Sequence, residues 1–191
     1  HSMVAKIASL QTQILALPIW AVQPRHPFLG QRTKFMTVLT RIRTTDEIEG
    51  FGYFFANDES QIRSVELIVR QLGERLVGME AARRSHIYDL MWNLCFELMR
   101  EGAANLAMST IDIALWDIFG KLVGLPLADV LGRRHDSIAA YGSHLLGRGC
   151  EFDQLQTEAT QLLGQGFKAM KVRFRGESVD ADAARARAVR E

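Results

Sequence analysis

The chain has 191 residues, 48% of them hydrophobic, with 23 Lys+Arg against 22 Asp+Glu and a formal net charge of +1. That is enough apolar material to bury a sizeable core in one domain or one and a half. The net field is too small to favour nucleic acid or an anionic membrane as partner. Cys95 and Cys150 make no disulfide framework, and a reducing, cytoplasmic setting is expected. No run of 18 apolar residues is present, and the N-terminus lacks the basic-then-apolar form of a signal peptide. His1-Ser2-Met3 reads as the remnant of a cleaved tag and carries no fold information.

Residues 4–17 alternate and carry β-branched side chains, which predicts a strand. Residues 34–43 alternate more clearly: Phe35, Thr37, Leu39 and Arg41 share one face, and Met36, Val38, Thr40 and Ile42 the other. A turn at residues 44–47 and a third strand over 48–55 complete an antiparallel meander. The loop over 18–32 holds three of the chain's four prolines, a composition typical of functional lids and unstructured connections.

Three helices are predicted next. Residues 59–77 place Ile62, Val65, Leu67, Ile68, Val69 and Leu72 on an inward stripe, and residues 82–99 do the same with Ile87, Leu90, Met91, Leu94 and Leu98. Residues 105–122 form a long helix whose stripe is Ala107, Ile111, Ala114, Leu115, Ile118 and Phe119, with Gly124 and Pro126 as its stop. Cys95 and Trp116 are expected in the core. Asp112 and Asp117 are expected in a buried helix–helix network or in capping, and the Arg83-Arg84 and Arg133-Arg134 pairs at solvated helix ends.

After residue 134 the rhythm becomes strand (137–146), helix (152–163), a break at Gly166, strand (167–174) and helix (179–190). This is the cadence of parallel βα units. Two such units close no barrel, so the sequence is expected to belong to a longer polypeptide. Domains are predicted over 4–134 and 135–191.

Chemistry concentrates on the second of these strands. Met170, Val172 and Phe174 form one apolar face, and Ala169, Lys171 and Arg173 the other, which sets two cations side by side near the strand's C-terminal end. In a (β/α)8 barrel that end carries catalysis; the alternative is a half-exposed strand with a wet basic face. Glu177, Asp180 and Asp182 open a helix, where acids complement the dipole, and are not assigned to a metal. Gly147-Arg148-Gly149 lacks the strand–turn–helix frame of a nucleotide-binding loop.

The long helix adds a motif. D-x-A-x-W-D over residues 112–117, followed by G-K-x-x-G-x-P-L-x-x-x-L-G over 120–132, closely resembles the signature helix of the enolase superfamily, mandelate racemase branch. The resemblance implies an α+β capping domain, meander plus helical bundle, followed by the opening of a modified (β/α)8 barrel. It implies abstraction of a proton α to a carboxylate, giving an enediolate stabilised by Mg²⁺. The metal's ligands are expected on later barrel strands, with none in this chain. The GFKAMKVR segment is similar to the family's second barrel strand, which ends in Lys-x-Lys: the first lysine contacts the substrate carboxylate and the second is the base. Lys171 matches the first position, but Arg173 stands at the second, a poor base and a good carboxylate clamp. Losing one base favours a dehydratase of sugar acids over a racemase, which needs an acid/base group on each face of the carbon.

The resemblance also implies substrate-facing roles for Tyr141 and Ser143 on the first barrel strand and for Tyr53 in the meander. Arg25 and His26 belong to a mobile flap in the same picture. The bland alternatives are a packed tyrosine, a turn serine and solvated loop residues. His144, of opposite parity, reads as structural. Racemase, epimerase and cycloisomerase activities on the same scaffold remain alternatives, as does a non-catalytic module binding a ligand or a partner. A small carboxylate or sugar-acid ligand and a homo-oligomer, dimer or octamer, are expected.

Overall fold

Alternation along residues 34–43 becomes β2 (Lys34–Thr44), the middle strand of a three-stranded sheet ordered β1 (Ile7–Pro18), β2, β3 (Glu49–Ala56) in this computed structural model, which describes residues 5–19, 33–56, 58–143 and 150–190. Strands β2 and β3 run antiparallel, from Met36 opposite Ala56 to Arg43 opposite Glu49. Between them Glu47 takes a left-handed turn, φ 64°, and the Thr44 hydroxyl accepts from the Ile48 N–H at 3.1 Å. Met36, Val38, Thr40 and Ile42, one of the two faces the alternation separates, are buried.

The chain divides into two compact units. The first comprises the described residues of 1–17 and 34–134; the second comprises those of 18–33 and 135–191. In the first, the sheet's inner face packs on α1 (Glu59–Leu76) and α3 (Ala103–Val123), and α2 (Arg84–Leu94) packs against α3. Asp58 caps α1: its Oδ1 accepts from the Ser60 N–H at 2.7 Å and the Ser60 hydroxyl at 2.6 Å, and those bonds hold its carboxyl below the ordinary range. Ile62, Val65, Val69, Leu72 and Leu76 are buried along α1, but Leu67 is 53% exposed, one step off the stripe. Helix α3 buries Ile111, Leu115 and Ile118 completely, each contributing about 2 kcal/mol. It ends at Gly124 in the left-handed conformation, φ 68°, and Pro126 precedes the short α4 (Leu127–Val130).

Helix α2 is shorter than its apolar run predicts. It stops at Leu94, a 3₁₀ turn follows over Phe96–Leu98, and Met99 and Arg100 are left-handed at φ 61° and 53°. The Arg100 guanidinium bonds back to the Trp92 carbonyl at 2.9 Å and lies over the Trp92 and Phe96 rings. Leu94 and Leu98 are therefore exposed rather than inward, and Met99 is exposed beside them.

In the second unit, α5 (Phe152–Gly164) opens with a capping box formed by Glu151 and Gln154. Leu155 and Leu162 pack on Phe167, Met170, Val172 and Val189, the last from α6 (Val179–Arg190). Among the described residues, the strands expected over 137–146 and 167–174 pair at one parallel bridge, Gly142 with Met170. A two-stranded parallel pair has ladder bonds along one edge of each strand only, and parallel pairing is the weaker kind per residue.

Candidate active site

That bridge fixes the register. The Gly142 N–H donates to the Ala169 carbonyl at 2.9 Å, and the Lys171 N–H donates to the Gly142 carbonyl at 2.8 Å. Bridge partners point to the same side of a sheet. Met170 faces the helices, and a Cβ on Gly142 would lie 2.9 Å from both Leu162 methyls, so the first strand also presses its backbone onto α5. The opposite side then carries Tyr141 beside Ala169 and Ser143 beside Lys171, with Arg173 next along the second strand. All four polar side chains are exposed there. Two cations and two hydroxyls on one face have the chemistry to take a carboxylate with neighbouring hydroxyls: a guanidinium offers two parallel donors to a carboxylate, and an ammonium a point charge.

The remaining candidates belong to other segments of the chain. Tyr53 belongs to the first unit, on the outer face of β3 opposite Leu39, and is 60% exposed. Arg25, His26, His144 and Gly147-Arg148-Gly149 lie outside the described residues. Among the described residues no group of three or more His, Cys, Asp or Glu side chains could hold a metal ion. Asp182 has a local role: its carboxylate accepts from the backbone N–H groups of Arg175 at 2.9 Å and Gly176 at 3.1 Å.

The acids of the long helix are structural, in a form the sequence does not reveal. Asp117 joins helix to strand, accepting from the Phe51 N–H at 3.1 Å and from Lys121 Nζ at 2.8 Å, while Lys121 also donates to the Glu49 carbonyl at 2.6 Å. Asp112 sits half-buried on α3. Burial raises its carboxyl above the ordinary range, against the opposing pull of the Arg84 charge and a hydrogen bond with Trp116. Arg84 is no solvated helix end: its guanidinium lies 3.8 Å from the centre of the Trp116 ring and 3.7 Å from that of Phe119. Trp116 is accordingly half-buried, with a cation on its face, rather than fully in the core. Arg83 and Arg133 are the ordinary cases, paired with Glu80 at 3.0 Å and Asp129 at 2.5 Å.

The signature helix α3 is thus tied to β3 through Asp117 and Lys121 and to α2 through Arg84, in a capping unit made of a three-stranded meander and helices. The N-terminal domain of the mandelate racemase / muconate lactonizing enzyme family matches residues 11–132. The chain belongs to that family. The arabinonate dehydratase of Saccharolobus solfataricus is 30% identical over 159 residues, covering 81% of this chain and 41% of that protein. The N-succinyl-L-Arg/Lys racemase of Bacillus cereus is 26% identical, covering 97% of this chain and 48% of that protein. The crystal structure of L-talarate/galactarate dehydratase from Salmonella typhimurium LT2, liganded with Mg and L-lyxarohydroxamate, superposes with a TM-score of 0.88 at 25% identity, over 97% of this chain and 48% of that one. The chain therefore spans about half the length of the relatives it matches. Family membership accounts for a capping domain followed by parallel βα units; no helix among the described residues is long and apolar enough to cross a membrane.

Proposed function

We propose that the chain supplies a capping domain, residues 4–134, and the first two βα units, from residue 135, of an enzyme that removes a proton α to a carboxylate, acting as a sugar-acid dehydratase. The observation that carries this reading is the Gly142–Met170 register, which gathers Tyr141, Ser143, Lys171 and Arg173 on the face turned away from the helices. In the proposed mechanism Lys171 and Arg173 bind the substrate carboxylate and hold the negative charge that moves onto it as the α-proton leaves. Ser143 and Tyr141 orient hydroxyls of the acid. The β-hydroxyl then leaves as water, protonated by an acid outside Lys171–Arg173, and the resulting enol tautomerises to a 2-keto acid. Arg173 clamps rather than accepts a proton, so the base is a group outside Lys171–Arg173, and one base suffices for elimination.

The arabinonate and talarate/galactarate dehydratases support this substrate class. The solved relative carries Mg; the described residues here do not fit a magnesium site, and we place its ligands outside them. Tyr53, Arg25 and His26 are further proposed substrate-binding residues. A homo-oligomer and a cytoplasmic location complete the proposal. A racemase or cycloisomerase is the second reading, favoured by the 97% of the chain that aligns with the N-succinyl-L-Arg/Lys racemase.

The test is a panel of aldonic and aldaric acids incubated with the full-length protein, with and without Mg²⁺ and chelator. Accumulation of a 2-keto acid is the expected result. Exchange of the α-proton with solvent and no keto acid would replace the dehydratase with the racemase.

A further inference from the structure

Two arginines that the proposed chemistry leaves unused converge on one carbonyl. Arg185, on α6 and 3% exposed, donates from Nη1 to the Cys150 carbonyl at 2.7 Å. Arg175 reaches the same oxygen from Nη2 at 3.2 Å, and that nitrogen also bonds Glu151 Oε1 at 2.7 Å. One turn before Arg185 on the same helix, Asp182 takes the backbone N–H groups of Arg175 and Gly176. A single face of α6 therefore grips both the exit of the second strand, two residues beyond Arg173, and the entry of α5 that follows the first strand.

A buried guanidinium is a costly way to tie two segments together, because an apolar side chain of similar volume would pack there without losing the hydration of a charge. What the fork adds is direction, since its donors accept only one arrangement of the carbonyl in front of them. The carbonyl it holds, that of Cys150, opens the helix that follows the first strand, and Arg175 itself lies two residues beyond Arg173 on the second. Ser143, Lys171 and Arg173 lie at the C-terminal ends of parallel strands, where barrel enzymes place their reacting groups. We infer that Arg175 and Arg185 are positioning residues: together with Asp182 they hold the first two strands in the register that sets Ser143 beside Lys171, and hence fix the carboxylate-binding face. This rests on the reading of that face as the substrate site.

The experiment has two arms. In the 191-residue chain, amide exchange is followed at Gly142 and Lys171, the donors of the bridging bonds, in wild type, Arg175→Ala, Arg185→Met, Arg185→Lys and the control Arg133→Ala. Exchange about tenfold faster at those two amides in Arg175→Ala and Arg185→Met, recovered in Arg185→Lys and absent in Arg133→Ala, is expected from loss of one local constraint. Arg175 is partly exposed, so Arg175→Ala decides the matter where Arg185→Met does not fold. In the full-length enzyme, kcat falls about tenfold to a hundredfold while KM stays within about threefold, as misplacement by an ångström predicts, and Arg185→Lys restores part of it. Unchanged exchange, or unchanged kcat in a variant with faster exchange, overturns the inference. A wild type that turns over no sugar acid while the exchange contrast holds defeats the substrate-site reading and leaves the clamp in place.

Discussion

Among the described glycines Gly52 makes the tightest strand-to-helix approach, and Gly52→Ala measures it. A Cβ built there would stand 1.9 Å from the Thr110 carbonyl oxygen, 2.9 Å from its carbon and 3.2 Å from the Ala114 nitrogen. It would sit on the helical Thr110–Ala114 hydrogen bond, and the obstacle is backbone, which cannot rotate aside. Relief to ordinary contact needs a shift of roughly 1.5 Å between β3 and α3. Overpacking costs about 1–3 kcal/mol, and disturbing one helical hydrogen bond adds about 1 kcal/mol. The lower chain entropy of alanine returns about 0.5–1 kcal/mol. The net loss is about 1–3.5 kcal/mol, and its middle value corresponds to a fall in Tm of about 10 °C for a unit near 100 residues. Gly50→Ala behaves alike, since its Cβ meets the Ala114 carbonyl oxygen at 2.1 Å. Gly164→Ala is the control: nothing lies within 4 Å of its Cβ, so it is neutral or slightly stabilising. Thermal and urea unfolding of the three variants decide the matter. A Gly52→Ala protein within about 1 kcal/mol of wild type would refute the close approach of β3 to α3.

Three further outcomes follow from the same structure. The buried Thr40 hydroxyl donates to Thr110 Oγ1 at 3.1 Å, which donates onward to the Ala107 carbonyl at 3.0 Å; Thr40→Val and Thr110→Val should each lose about 1 kcal/mol or more, with clear coupling when combined in a double-mutant unfolding cycle. Glu158 has an Oε2 that is buried without a hydrogen-bond partner among the described residues, and burial pushes its carboxyl above the ordinary range. The folded state then binds the proton more readily than the unfolded one, so this group's penalty is absent below the unfolded pKa and grows as pH rises towards the folded one. Glu158→Gln should raise Tm at neutral pH, with the gain vanishing near about pH 4; a gain independent of pH would contradict it. In the full-length enzyme, Arg173→Lys should restore a second base and introduce α-proton exchange, read as deuterium in recovered substrate.

Much of the fold is legible in the sequence because its helices bury single stripes. The i, i+3, i+4 pattern of Ile111, Leu115 and Ile118 and the alternation of Met36 to Ile42 report burial directly. Where they mislead, a polar group has intervened. The apolar run through Leu94, Leu98 and Met99 keeps a helical period, yet Arg100 folds back onto the Trp92 carbonyl and ends the helix. Nothing in the spacing of Arg84 reveals that it enters between Trp116 and Phe119, which come from another helix. On the second strand, parity alone puts Lys171 and Arg173 on one face. Their alignment with Ser143 depends on the Gly142–Met170 register, a long-range pairing that no local pattern specifies. The meeting of Arg175 and Arg185 at Cys150 is of the same kind, with residues 25 and 35 positions apart in sequence.

The central claim is that the Lys171 face binds the carboxylate whose α-proton is removed. Its most direct test is Lys171→Ala in the full-length enzyme, with formation of 2-keto acid from the best sugar-acid substrate followed alongside thermal unfolding. The expected result is loss of turnover with an unchanged melting transition, because the Lys171 side chain is exposed and only its backbone N–H takes part in the bridge. Turnover retained in a folded Lys171→Ala protein would remove this face from the mechanism.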